Sequence, residues 1–83
     1  MRLLTDQDFM REALIEAQKA FAKGEIPIGA VIVREGKILA RDHNRREELH
    51  DPTAHAEILV LRQAGKILGG WRLPQTTLYV TIE

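Results

Sequence analysis

The chain has no cysteine among its 83 residues, few aromatic side chains, no excess of either charge and no long apolar run. Without cysteine, neither a disulfide nor a thiolate zinc ligand can form within these residues. Twelve basic and twelve acidic side chains cancel, so no overall field draws the chain to nucleic acid or to an anionic membrane, and any such contact must come from a local patch. Nothing approaches the ~20 apolar residues of a membrane span. The opening MRLLTDQDFM interrupts its apolar residues with Asp6 and Asp8, unlike a secretory leader, which predicts a cytoplasmic protein. What is present, 45% hydrophobic and 29% charged residues, is the composition of a folded domain rather than of a disordered chain. A chain of this length buries only roughly 60–65% of its unfolded surface, so its core is small.

Thr5 and Asp8 stand at capping-box spacing, and Met10, Ala13, Leu14, Ala17 and Phe21 recur at helical intervals behind them. This predicts an amphipathic helix over about 5–23, closed by Gly24. The apolar, β-branched run IPIGAVIV, the turn REGK and the run ILARDH predict a β-hairpin. Asp51, Pro52 and Thr53 open a second helix, about 53–68, which stops at Gly69-Gly70. TTLYVTI alternates Leu78, Val80 and Ile82 against Thr77, Tyr79 and Thr81, as a strand does. The predicted order is α-β-β-α-β, an α/β fold with a mixed sheet flanked by helices, forming a single domain unit over 1–83. A strand–helix–strand crossover sets the last strand parallel to one member of the hairpin, and leaves it on an edge that nothing within these residues covers.

One short stretch carries chemistry, DPTAHAEI at the start of the second helix. His55 and Glu57 are two residues apart, which points them ~200° apart inside a helix. At a first turn both can reach past the helix end, where free N–H groups and the positive dipole end favour an anion. There His55 can serve as a neutral nitrogen ligand and Glu57 as a proton carrier. A lone His near a helix N-terminus is ordinarily a surface residue, so the pair alone is weak evidence.

The ordered set GEIPIGAVIV, HNRREELHDPTAHAEI, WRL and LYVTIE resembles the zinc-dependent cytidine and deoxycytidylate deaminase superfamily, and within it the bacterial enzymes that deaminate adenosine in tRNA. The resemblance runs over essentially the whole chain. It implies that His55 binds zinc and that Glu57 is the general acid/base, not a ligand. Zinc held by three protein groups lowers the pKa of its water to near 7, supplying hydroxide for attack at C6 of adenine. Glu57 would then move protons from that water to the ring nitrogen and toward the departing ammonia, giving inosine at the wobble position. By the same resemblance Asn44 is the substrate-contacting Asn, Ile28 part of the wall against the purine, the tRNA anticodon arm the partner, and the active form a homodimer. Locally, Asn44 is equally a turn cap and Ile28 a core residue. Arg45 and Arg46 lie beside the implied pocket, where phosphate contacts would hold an anticodon loop with its target base splayed out. Glu47 and Glu48 follow at once, so the two arginines are also readable as part of a solvated face.

In the resembled enzymes LYVTIE runs into P-C-x-x-C, which brings the second and third zinc ligands. Here the sequence stops at Glu83, so the C-terminal part of the fold is expected to be absent, and the 83-residue chain alone is expected to be inactive. His43, His50 and His55 could in principle form a three-imidazole zinc set, although their spacings match no zinc pattern. Two further readings stay open: a free nucleobase deaminase of the guanine or cytosine type, and a non-catalytic folded fragment whose final strand recruits another chain.

Overall fold

The computed structural model describes residues 3–82; Glu83, which closes the LYVTIE motif, lies outside the described residues. Helix α1 spans Asp6–Ala22 and opens on the predicted capping box. The amide of Asp8 donates to the Thr5 hydroxyl at 3.3 Å and the Thr5 amide donates to the Asp8 carboxylate at 2.7 Å, so two of the helix's free amides are answered reciprocally. Strands β1 (Gly29–Arg34) and β2 (Lys37–His43) form the hairpin. Their turn is Glu35-Gly36, with φ of 54° and 76°, the left-handed pair that a two-residue hairpin loop requires.

Two elements differ from the sequence reading. The second helix, α3, is Ala56–Leu68 rather than 53–68. Asp51 explains the shortening: its Oδ1 accepts from the Thr53 amide at 2.8 Å and the Thr53 hydroxyl at 2.7 Å, an Asx turn that competes with helix and moves the N-cap to His55. A four-residue helix, α2 (Arg46–Leu49), stands in the connection after β2, too short to show a periodic pattern. Strand β3 is Thr76–Val80.

The strand order is β2-β1-β3. Both pairings are antiparallel, with Gly29 opposite His43 on one side of β1 and Ala30 opposite Val80 on the other. Strand β3 therefore runs parallel to β2, as the crossover predicts, but β1 lies between them, so the sheet expected to be mixed contains only antiparallel ladders among the described residues. Helices cover both faces. Val31 and Val33 of β1 meet Phe9 and Ala13 of α1, while Ala30 and Ile32 meet Ala56, Val60 and Ala64 of α3, the alternation expected of a central strand. At Gly29 the approach of α1 is closest: a Cβ there would lie 2.1 Å from the Ala13 carbonyl oxygen and 2.4 Å from the Ala17 amide nitrogen. Among the described residues no helix is long and apolar enough to cross a membrane.

Candidate active site

The residues just after β2 are tied by backbone bonds to the chain entering β1 and to the chain entering α3 before any side chain acts. The Asn44 amide donates to the Ile28 carbonyl at 3.0 Å, and the Arg45 amide donates to the Ala54 carbonyl at 3.0 Å. These two bonds place Ile28, Asn44 and the chain entering α3 at one corner of the molecule. Ala54 and Ala56 are fully buried and anchor the backbone on either side of His55. His55 is the N-cap of α3, yet its side chain makes no capping hydrogen bond, so the imidazole is not used up by the helix. Its Nδ1 lies 4.0 Å from Oε1 of Glu57, with the two side chains 44% and 37% exposed. The helix end thus brings the pair together, which a helix interior would not. Ile28 is half-buried and packs against the cluster containing Ala56 and Val60.

Beside this corner opens a cleft of about 480 Å³, lined by Gly24, Glu25, Ile26, Asn44, Arg46, Glu47, His50, Asp51 and Pro52. Asn44 lines it and is 1% exposed; His55 and Glu57 stand outside its lining. The two arginines behave differently. Arg45 donates from Nε to Asp42 at 2.7 Å and from a terminal nitrogen to Glu48 at 2.8 Å, so it is committed within the chain. Arg46 is exposed, lines the cleft, and makes no ion pair among the described residues.

A buried polar network, invisible to sequence spacing, lies behind β2. Glu16 of α1 takes hydrogen bonds from Lys19 at 2.8 Å and Arg41 at 2.7 Å, and its other oxygen meets His43 Nδ1 at 3.1 Å. Lys23 Nζ sits 3.3 Å from His43 Nε2. An ammonium only donates, so Nε2 accepts and Nδ1–H donates to Glu16. Asp42 takes bonds from the His43 amide, Arg45 and Gln63. Ligating atoms of Glu16, Asp42 and His43 fall within 4.8 Å of one another, but the cations already paired with both carboxylates mark a structural network rather than a metal cradle. His43 is thereby removed from the three-imidazole set. His50 has no place in that set either, since among the described residues no group of metal-ligating atoms includes His50 or His55.

Burial alone would raise the Glu16 carboxyl, but hydrogen bonds from Lys19, His43 and Arg41 outweigh it and hold the pKa at about 2 instead of 4.5. A pKa lowered by folding adds stability that is complete above the ordinary value and is lost as pH falls toward the folded one. The loss is on the order of 3 kcal/mol. The chain's resistance to urea should therefore fall between about pH 4.5 and pH 2, and Glu16→Gln should flatten that slope. An unchanged slope in the variant would locate the acid sensitivity elsewhere.

The family model for the cytidine and deoxycytidylate deaminase zinc-binding region matches residues 4–83. The chain belongs to this deaminase family. The tRNA-specific adenosine deaminase of Bacillus subtilis (strain 168) is 56% identical over 78 residues, which is 94% of this chain and 48% of that enzyme. A solved structure from work on A-to-I editing by tRNA:A34 deaminases at the wobble position of transfer RNA superposes with a TM-score of 0.88 at 53% identity, covering 93% of this chain and 56% of the other. Guanine deaminase from Bacillus subtilis superposes with a TM-score of 0.91 at 37% identity, covering 96% of this chain and 52% of the other. The chain thus spans about half the length of these relatives. The fold does not separate the two substrate classes, since the guanine enzyme superposes slightly better; sequence identity favours the tRNA deaminases.

Zinc is the metal of this deaminase family, and the corner fits part of a zinc site. His55 offers an uncommitted, half-exposed imidazole with a carboxylate 4.0 Å away. A catalytic zinc needs three protein ligands and an open position, and the described residues bring one imidazole to this place. Sequence reasoning found this pair and its neighbours Asn44 and Ile28. It missed Glu25, Glu16 and Asp42, and it read His43 as a possible zinc ligand where the structure pairs it with Glu16 and Lys23. Glu25 alone left a trace, as the charged residue that opens GEIPIGAVIV just before its apolar run, and it is only 5% exposed.

Proposed function

We propose that this chain is the N-terminal part of a deaminase that converts adenosine to inosine at the wobble position of tRNA. The observation that carries this reading is the uncommitted His55 imidazole beside Glu57 at the mouth of α3, together with the greater identity to tRNA deaminases than to guanine deaminase. In the whole protein His55 is one zinc ligand and the remaining two come from outside residues 1–83, so the 83-residue chain alone does not deaminate. The zinc, when bound, supplies a water with a pKa near neutral. The chain's own residues do the rest. Glu57, half-exposed and at the positive end of α3, holds and moves the protons. Ile28 packs beside the base, Asn44 contacts the nucleotide, and Arg46, free of ion pairs among the described residues, faces the RNA backbone. Arg45 does not, because Asp42 and Glu48 hold it. The partner is the tRNA anticodon arm, and the active form is a homodimer in the cytoplasm.

The test is direct. Whole protein incubated with an unmodified anticodon-arm RNA should yield inosine at the first anticodon position, and should lose that activity and its zinc with His55→Ala. RNA left as adenosine while free guanine is turned over would replace this reading with that of a nucleobase deaminase.

A further inference from the structure

Helix α2 is four residues long and its N-cap residue, Arg45, provides no side-chain cap. A helix this short cannot hold itself together. Its opening amides are nevertheless all answered, from outside the helix. The Asn44 Oδ1 accepts from the Arg46 amide at 3.0 Å. The two carboxylate oxygens of Glu25 accept from the Glu47 amide at 3.1 Å and the Glu48 amide at 2.7 Å. Glu25 is 5% exposed and pairs with no cation among the described residues, so its carboxylate is given over to these two amides.

The consequence falls on Asn44. Its carboxamide cannot flip, because the reversed group would set NH2 against the Arg46 N–H. Its oxygen is therefore committed to α2, and its NH2 has no hydrogen-bond partner among the described residues while the residue lines the cleft. That NH2 is not sealed in the protein, since among the described residues the one buried side-chain polar atom without a partner is Arg34 Nε; it opens on the cleft wall, where solvent answers it and a bound acceptor can take the solvent's place. The same wall carries Glu25, Glu47 and Asp51 against the single cation Arg46, so the group that meets Asn44 is a neutral acceptor, a ring nitrogen or ribose oxygen, rather than a phosphate.

We propose that Glu25 is a positioning residue for nucleotide recognition: by pinning Glu47 and Glu48 it fixes α2, and so makes the Asn44 carboxamide a donor-only contact for a neutral acceptor atom of the bound nucleotide. This rests on the nucleotide-deaminase reading above, and deepens it by assigning the polarity of the contact and the residue that sets it.

The experiment compares Glu25→Gln, Asn44→Asp and Asn44→Ala with the unaltered chain. It follows amide exchange across α2 and α3, the NMR signals of the Asn44 side-chain NH2, and, with the same substitutions in the whole protein, affinity for a hairpin RNA with adenosine at the first anticodon position. Asn44→Asp keeps an oxygen for Arg46 but has no donor. It should leave exchange at Arg46 unchanged while weakening RNA binding about tenfold; Asn44→Ala should lose both. Glu25→Gln should speed exchange at Glu47 and Glu48 about tenfold, shift the Asn44 NH2 signals, and leave α3 protected. RNA affinity retained in Asn44→Asp would overturn the donor assignment. Unmoved Asn44 NH2 signals in Glu25→Gln, or lost protection throughout α3, would overturn the positioning role. If the unaltered whole protein ignores the RNA, nucleotide recognition at this cleft is overturned, while the exchange and NH2 signals still decide whether Glu25 sets Asn44.

Discussion

Replacing Gly29 with alanine is expected to remove most of the stability of the chain. The added Cβ would lie 2.1 Å from the Ala13 carbonyl oxygen, 2.4 Å from the Ala17 amide nitrogen and 2.7 Å from the Glu16 Cβ. The first two are helix backbone, which no rotamer change can move, so α1 would have to lift off the sheet. That lift would open the buried contact of Phe9 and Ala13 with Val31 and Val33 and pull Glu16 away from His43 and Arg41. Overpacking in a core costs about 1–3 kcal/mol when side chains can adjust, and more when they cannot. A domain of this size has only about 4–12 kcal/mol in total. The control is Gly70→Ala, where a Cβ meets nothing within 4 Å, which should shift stability by less than about 0.5 kcal/mol. Urea unfolding followed by far-ultraviolet circular dichroism measures both, and matching midpoints for the two variants would show that α1 does not press on β1 as described.

In the whole protein, Glu57→Gln is expected to lower turnover of the anticodon-arm RNA by about 10²–10⁴-fold while leaving zinc content unchanged. The amide keeps the shape and polarity of the side chain but cannot carry a proton at neutral pH. Because Glu57 sits in the first turn of α3 and is not part of its buried face, the substitution should leave the fold intact, so the loss would lie in the chemical step rather than in substrate affinity. Near-normal turnover, or loss of zinc together with activity, would move Glu57 from proton carrier to structural residue or ligand.

The sequence is legible where a rule acts over a few residues. Thr5 and Asp8 announced α1, Glu35-Gly36 lay within the predicted turn, and the strand at β3 and the stop at Gly69 read correctly, although Ile82 is exposed and Thr81 buried, against the alternation of the sequence. The His55–Glu57 pair was visible for the same reason, since a helix end lets residues two apart converge. What was hidden depends on contacts across long separations. Glu16 and His43 are 27 residues apart, and Glu25 reaches amides 22 and 23 residues away; no periodicity connects them. The start of α3 was misplaced because Asp51, read as a helix cap, closes an Asx turn on Thr53 instead. Arg45 and Arg46 looked alike in sequence, and only their partners distinguish them.

The strand order also sets a timetable for synthesis. Strand β1 is central, yet its two neighbours are made at very different moments: β2 follows after a two-residue turn, while β3, which pairs Ala30 with Val80, is translated much later. At ~5–20 residues per second, β1 waits roughly 2–10 seconds for its second partner. During that interval the most buried of the described strands offers a bare edge to other chains, so the yield of folded protein should depend on translation speed and on chaperone occupancy before Thr76–Val80 arrives.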